Sequence, residues 1–392
     1  MTERIPLSRR KRRVKLGVVA NEFFDLGYSR MGGFGWATRQ LARCFQGDPS
    51  LGVDPIFIDA ESGRPNGSQA TLHGVPVIQR SEGTEFEERL RDERLDLLLS
   101  IDYRKNYRRV FKALPKTPIL VWARDPRGPA DAERIRAVRL PGDPTTQPAG
   151  LESPDTTSLS SFVSRRWWSR RVVFGTPSLS LRERAEKGYG IPRLDLALLP
   201  NIIDLDPGHV VKGDRPTVVF LARLDPYKRP WLFAELARHF PLVEFLFLGQ
   251  SHHADNEVVW RPDNLPANVR LMGHVDGDEK VRILTRAWVL VNTSIHEGLA
   301  VSFLEALSCE TPLLSCIDTE EVASRFGVYV GSYDGTGMEA IPAFVRGLRE
   351  LLDGRDRRVH LGKEGREWVA RTHNRERFLD AFHDLCLAAR TR

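Results

Sequence analysis

Two short segments of the 392-residue chain carry side chains whose types and spacing suit a phosphorylated ligand. In LARLDPYKRP, Arg223 and Lys228 follow an apolar run that reads as a buried strand. A bidentate guanidinium and a point-charge ammonium together fit a diphosphate and stabilise charge gathering on a leaving group. An ordinary surface pair is the plain alternative, since Arg229 makes this stretch basic in any case. In SIHEGLAVSFLEAL, the strand pattern VLVNTS runs into a glycine turn and then a helix. The first-turn amides and the dipole of such a helix favour an anion at its start. Glu297 sits in the turn and Glu305 two helical turns further on. A carboxylate buried without a partner is costly. Two such groups flanking one ligand therefore ask for hydroxyl pairs, one on each side.

The elements that must position these residues follow from the apolar pattern. Short Val/Ile/Leu runs alternate with helical stretches, the mark of buried parallel strands joined by crossover helices. In the first half the runs predict strands near 15–21, 54–59, 75–79, 96–102, 118–124 and 171–177, with helices at 84–93 and 103–113. In the second half they predict strands at 217–224, 243–248, 269–273, 289–293, 312–316 and 328–332. A helix over 229–240 presents Phe233, Leu236, Ala237 and Phe240 as one stripe. The fold class is α/β, two doubly wound units, and ligands in such sheets sit beyond the carboxyl ends of the strands. The boundaries read as a basic tail over 1–14, a first domain over 15–205, a second over 206–375 and a terminal helix over 376–392 that can cross back to the first. The Pro/Gly/Ser/Thr-rich stretch 141–158 reads as a loop inside the first half. Lys212, in the linker, serves as the indifferent comparison for Lys228.

Bulk properties bound the partners. The net charge of +6 is concentrated in the tail and in Arg165–Arg171, and no nucleic-acid module accompanies it. Nucleic-acid binding is not expected; a solvated face or contact with an anionic membrane surface or acidic acceptor is. No apolar run approaches the roughly 18 residues needed to span a bilayer, and the first residues lack a signal-peptide pattern. Four scattered cysteines suggest neither a zinc site nor a disulfide framework, which fits a cytoplasmic protein, with peripheral membrane contact open. Asp204-Leu205-Asp206 forms a D-x-D, but it follows the interdomain link and not a nucleotide-binding strand, so no metal and no cofactor is expected.

Glu297-Gly298 through Glu305-Ala306 resembles the E-x7-E signature of glycosyltransferase family 4, and Arg223 with Lys228 resembles its diphosphate-binding pair. Asn292-Thr293-Ser294, Gly249 after FLFL, the stretch Asn268–His274 and Pro200–Asp204 are similar to further landmarks, so the likeness covers roughly 200–335. The resemblance implies the GT-B fold, two Rossmann-like domains facing a central cleft, with the acceptor on the first and a nucleotide-sugar donor on the second. It implies Glu305 on the ribose hydroxyls, Glu297 on the donor sugar, and Arg223 and Lys228 on the diphosphate. It also implies backbone contacts from near His274 to the base, and from Gly298, Leu299, Ala300, Val301 and Ser302 to the phosphates. Ala300 stands where the family often has glycine. The activity implied is retaining transfer of a sugar to an acceptor hydroxyl, with base, sugar and acceptor open.

The first half matches less well. Gly33 and Gly35, within MGGFGWA after the first strand, resemble the family's glycine-rich loop and are assigned to the donor; a packing turn is the alternative. Where many members have a histidine, this chain has Arg124, followed by Asp125. Arginine cannot act as a base. Either Asp125 takes a hydroxyl-binding catalytic role, or Arg124 holds an acidic donor or acceptor, or the two form a structural salt bridge. A silent nucleotide-sugar binder or a GT-B epimerase stays open beside the transferase.

Overall fold

The computed structural model describes residues 13–23, 32–46, 51–61, 71–143, 145–151, 171–191, 196–205, 208, 210–254 and 256–391. Most of the basic tail, Met31, the segment 165–170 and Asp206 lie outside the described residues. The chain divides into two compact units: Met1–Pro126 with Pro154–Ile202 and Arg375–Arg392, and Arg127–Ser153 with Ile203–Asn374.

The first unit is built on an eight-stranded sheet. Its strands are β1 (Val14–Ala20), β2 (Val53–Asp59), β3 (Thr71–Leu72), β4 (Val75–Gln79), β5 (Leu97–Ile101), β6 (Ile119–Trp122), β7 (Val172–Thr176) and β8 (Leu196–Leu198), in the order β3-β4-β2-β1-β5-β6-β7-β8. Every pairing is parallel except that of β3 with β4. Every residue of β5, LLLSI, is buried, as a strand covered on both faces requires. The order reverses between β1 and β5, which creates a crevice beyond their carboxyl ends. The terminal helix Arg375–Thr391 belongs to this unit. Its Phe378 and Phe382 pack on Phe45 with ring centroids 6.5 and 5.2 Å apart, and Phe378 also meets Trp122 at 5.4 Å.

The second unit has six parallel strands, β9 (Thr217–Leu221), β10 (Glu244–Leu248), β11 (Val269–Leu271), β12 (Val289–Asn292), β13 (Leu313–Ser315) and β14 (Gly327–Tyr329). Their order, β11-β10-β9-β12-β13-β14, is the dinucleotide-fold order, and it reverses between β9 and β12. Phe220, Phe233, Phe245 and Phe247 fill the core, with centroid spacings of 4.7 to 5.6 Å. The helix Pro230–Arg238 opens with proline at its first position and buries Phe233, Leu236 and Ala237. Phe240 falls beyond its end and is only half-buried. Residues 127–153, expected in the first domain, cluster instead with the second: Ile135, Val138 and Leu151 share a core with Trp231, Leu232 and Ile295. Their apolar side chains find their surface there, a long-range preference that loop composition does not reveal.

Candidate functional site

The crevice between β9 and β12 gathers most of the residues singled out in the second half. Arg223 lies two residues beyond β9, and Lys228 ends a single 3-10 turn over Pro226–Lys228. The Lys228 ammonium meets Glu297 Oε1 at 2.6 Å. Ser294 Oγ and Asn292 Nδ2 donate to that same oxygen at 2.6 and 3.2 Å. Burial alone would push the Glu297 carboxyl up; the charge of Lys228 and these donors overcome it and hold the group below its ordinary value. Burial likewise opposes the charge on Lys228, and Glu297 reverses the effect, raising it. Both ends of the pair are therefore ionised at neutral pH. Arg223 Nη2 reaches Asp225 Oδ2 at 2.9 Å and donates to the Tyr227 hydroxyl at 3.0 Å, while the Lys228 ammonium lies 4.7 Å from the Tyr227 ring centroid.

Arg229, taken from the sequence as one more surface cation, is fully buried. Its Nε donates to Thr293 O at 2.9 Å and its Nη1 to Tyr333 O at 2.7 Å, with Cys316 Sγ 3.2 Å from Nη2. Its backbone is left-handed, φ 48°, a conformation costing a non-glycine residue about 1–3 kcal/mol. These bonds offset that cost. The Thr293 hydroxyl donates to the Lys228 and Arg229 carbonyls at 2.7 and 3.0 Å, and Ile295 N to Tyr227 O at 2.9 Å. The loop after β9 and the loop after β12 are thus stitched into one frame.

The helix Val301–Ser308 begins after Ala300 with no side-chain cap, which leaves its first-turn donors to other partners. Gly298, Val301 and Ser302 are half-buried around that start, and Leu299 and Ala300 are buried. Gly249 donates its amide to Gly273 O at 2.7 Å, next to His274, and a Cβ on Gly249 would stand 1.9 Å from Ala222 O. Only glycine permits that approach at the end of β10. Glu305 is not left to a future ligand alone: Lys280, on the helix Gly277–Arg286, meets Glu305 Oε1 at 2.7 Å and Asp276 Oδ1 at 3.1 Å. Sequence reasoning missed Lys280, and also Asp131, whose carboxylate lies 3.4 Å from His296 Nδ1.

In the first unit the glycine-rich turn is already engaged. Glu22, just beyond β1, accepts the amides of Gly32 and Gly35 on Oε2 at 2.9 and 3.0 Å, so a carboxylate of the chain sits at the start of the helix Gly33–Gln46 where the expectation for Gly33 and Gly35 had placed a phosphate. Asp102, at the end of β5, accepts the amides of Tyr103, Arg124 and Asp125 at 2.9, 3.2 and 2.8 Å and the Tyr189 hydroxyl at 3.2 Å. Burial pushes its carboxyl up. Arg124 and Asp125 are positioned through their backbones by this third residue. No salt bridge joins their side chains.

Residues 202–368 match the model of the family described as glycosyl transferases group 1. By sequence, no curated protein matches the chain. Among solved structures the fold is similar to sucrose-phosphate synthase from Thermosynechococcus elongatus, with TM-score 0.70 and 16% identity over 95% of this chain and 98% of that one. It is also similar to a glycosyltransferase from Rickettsia africae ESF-5 (TM-score 0.66, 10% identity, 97% and 99% covered) and to HepE from Anabaena, solved in complex with UDP-glucose (0.66, 11%, 96% and 100%). Two Rossmann-like units of this kind make the GT-B fold, and the second of them carries the match to the group 1 glycosyltransferases.

Proposed function

We propose that the protein transfers a sugar from a nucleoside-diphosphate-sugar to an acceptor hydroxyl with retention at the anomeric carbon, as in polysaccharide, glycolipid or glycoconjugate synthesis. The observation that carries this reading is the ionised Lys228–Glu297 pair, fixed by Ser294 and Asn292 beside Arg223 at the point where the sheet order reverses. Lys228 and Arg223 supply positive charge to the diphosphate, Glu297 accepts hydroxyls of the donor sugar, and Glu305 those of the ribose. In the reaction the bond from the anomeric carbon to the phosphate oxygen breaks as the acceptor oxygen bonds to the same face. The acceptor's proton passes to the departing phosphate. The charge that grows on the phosphate is met by preorganised cations and not by a metal, and a fixed cation needs no rearrangement at that moment.

The test is a thermal-shift panel of nucleotide-sugars, since a ligand that binds only the folded state raises the melting temperature by mass action. Stabilisation by one nucleotide class, with slow donor hydrolysis that disappears in Glu297→Ala, supports the transferase. Tight binding with no turnover on any acceptor favours a silent binder, a reading to which Arg124 at the family's histidine position gives some weight.

A further inference from the structure

We infer that the first unit holds an oxyanion, a phosphate or carboxylate carried by the acceptor, through the guanidinium groups of Arg124 and Arg104; only the assignment of this ligand to the acceptor rests on the glycosyltransferase reading. The two arginines follow adjacent strands, β5 and β6, whose last residues Ile101 and Trp122 are partners in register. Both guanidinium groups also reach the first turn of the helix Gly33–Gln46. Arg104 Cζ stands 4.9 Å from the Phe34 ring centroid, and Arg124 Cζ 5.9 Å from that of Trp36 and 4.4 Å from that of Trp122. Stacking of this kind occupies the face of a guanidinium and leaves its edge of N–H donors for a planar or tetrahedral anion.

Those donors have no other use. Neither guanidinium makes a hydrogen bond or ion pair with a described residue, and Arg124 Nη1 and Arg104 Nε are buried without partners. Arg124 is only 5% exposed. Burial pushes it down to about 10, which leaves it cationic at neutral pH. A buried cation with an unmatched donor is expensive unless something binds it. The neighbouring carboxylates Asp102, Glu22 and Asp125 favour the Arg124 charge from a distance without bonding to the guanidinium: Asp102 spends its oxygens on three amides and the Tyr189 hydroxyl, and Glu22 accepts the amides of Gly32 and Gly35. The free edges therefore point to an anion brought from outside, at the crevice where the order of the first sheet reverses.

Calorimetric titration of the full-length protein tests this, with inorganic phosphate and glucuronate as probes, glucose as the neutral control and ionic strength held constant. A Lys228→Ala background keeps the cations of the second unit from contributing. We expect saturable binding of at least one oxyanion that survives Lys228→Ala and weakens ten-fold or more in Arg104→Gln and in Arg124→Lys; which probe binds distinguishes a phosphate from a carboxylate acceptor. Arg104→Gln, at a half-buried position, keeps the test decisive if Arg124→Lys fails to fold. Binding lost with Lys228→Ala and indifferent to Arg104→Gln overturns the inference, as does no binding of either probe. Failure of the glycosyltransferase reading registers separately, as no stabilisation by any nucleotide-sugar.

Discussion

Lys228 and Glu297 neutralise each other in a largely buried site, so each is the other's main electrostatic support, and removing either should disable the site. Glu297→Gln keeps the shape and loses the charge; Lys228 then stays buried opposite a weaker acceptor. We expect donor turnover to fall by about a hundred-fold or more in both Glu297→Gln and Lys228→Ala, the range typical of losing one preorganised electrostatic group. The comparison must be an exposed lysine such as Lys363. Lys212 does not serve, because its ammonium donates to Cys309 O at 2.8 Å and Thr311 Oγ1 at 2.7 Å, and its removal would damage the fold. Equal losses in Lys228→Ala and Lys363→Ala would remove Lys228 from the diphosphate. The pH dependence of stability follows from the same pair. Glu297 has a lowered folded value, so its stabilisation is present above its ordinary 4.5 and is lost as pH falls through the folded value. Lys228 has a raised one, so its share is present below its ordinary 10.5 and is lost as pH rises through the folded value. The stability gap between wild type and Glu297→Gln, read by urea denaturation, should be flat across neutral pH and close on acidification below about pH 4.5.

At the scale of elements, the site depends on two loops being held in one frame, and Arg229 does most of the holding. Arg229→Ala removes donors from the Thr293 and Tyr333 carbonyls and leaves a left-handed backbone unsupported. The cost should be about 3 kcal/mol, from one to two unsatisfied buried carbonyls, read as a lower melting temperature with nucleotide binding weakened in parallel. Arg229→Lys, which lacks the fork, should not rescue it. This role was not legible in the sequence, where Arg229 is one cation among several. The strands were legible to within a residue or two at most positions, because runs such as LLLS and FLFL are buried on both faces and cannot be anything else in a chain of this pattern. The edge strands β3 and β8 were not, being two and three residues long and held by their neighbours rather than by any pattern of their own. Among the site residues, Arg223, Lys228, Glu297 and Gly249 could be read because each lies in a loop directly after a strand. Lys280 could not, since only the packing of two helices brings it to Glu305, 25 residues away in sequence. Glu22 and Asp102 share that difficulty: a carboxylate that caps a turn looks no different in sequence from one that faces water.

Over the whole molecule, the path of the chain carries a consequence for stability. The last helix, Arg375–Thr391, follows directly on the helix Arg355–Thr372 of the second unit, yet its apolar face belongs to the first. Phe378, Phe382, Leu385 and Ala389 are buried, and Leu385 lies close against Gly175 on β7, where a Cβ on that glycine would stand 3.2 Å from the Leu385 side chain. Removing residues 375–392 would uncover Phe45 and Trp122, the latter one of the largest fully buried side chains, while leaving the phenylalanine core of the second unit untouched. Burying one large side chain is worth roughly 1.5–3 kcal/mol, so losing Phe378, Phe382 and Leu385 removes a large part of a domain's marginal stability of about 5–15 kcal/mol. Calorimetry of the truncated chain should therefore resolve the unfolding of the first unit at a much lower temperature, and nucleotide should still raise the second transition, since Arg223, Lys228, Glu297 and Glu305 all lie outside the deleted segment. A single transition shifted as a whole, with nucleotide stabilisation lost, would mean that the terminal helix supports the second unit as well, and that the donor site cannot be assigned to residues 203–374 alone.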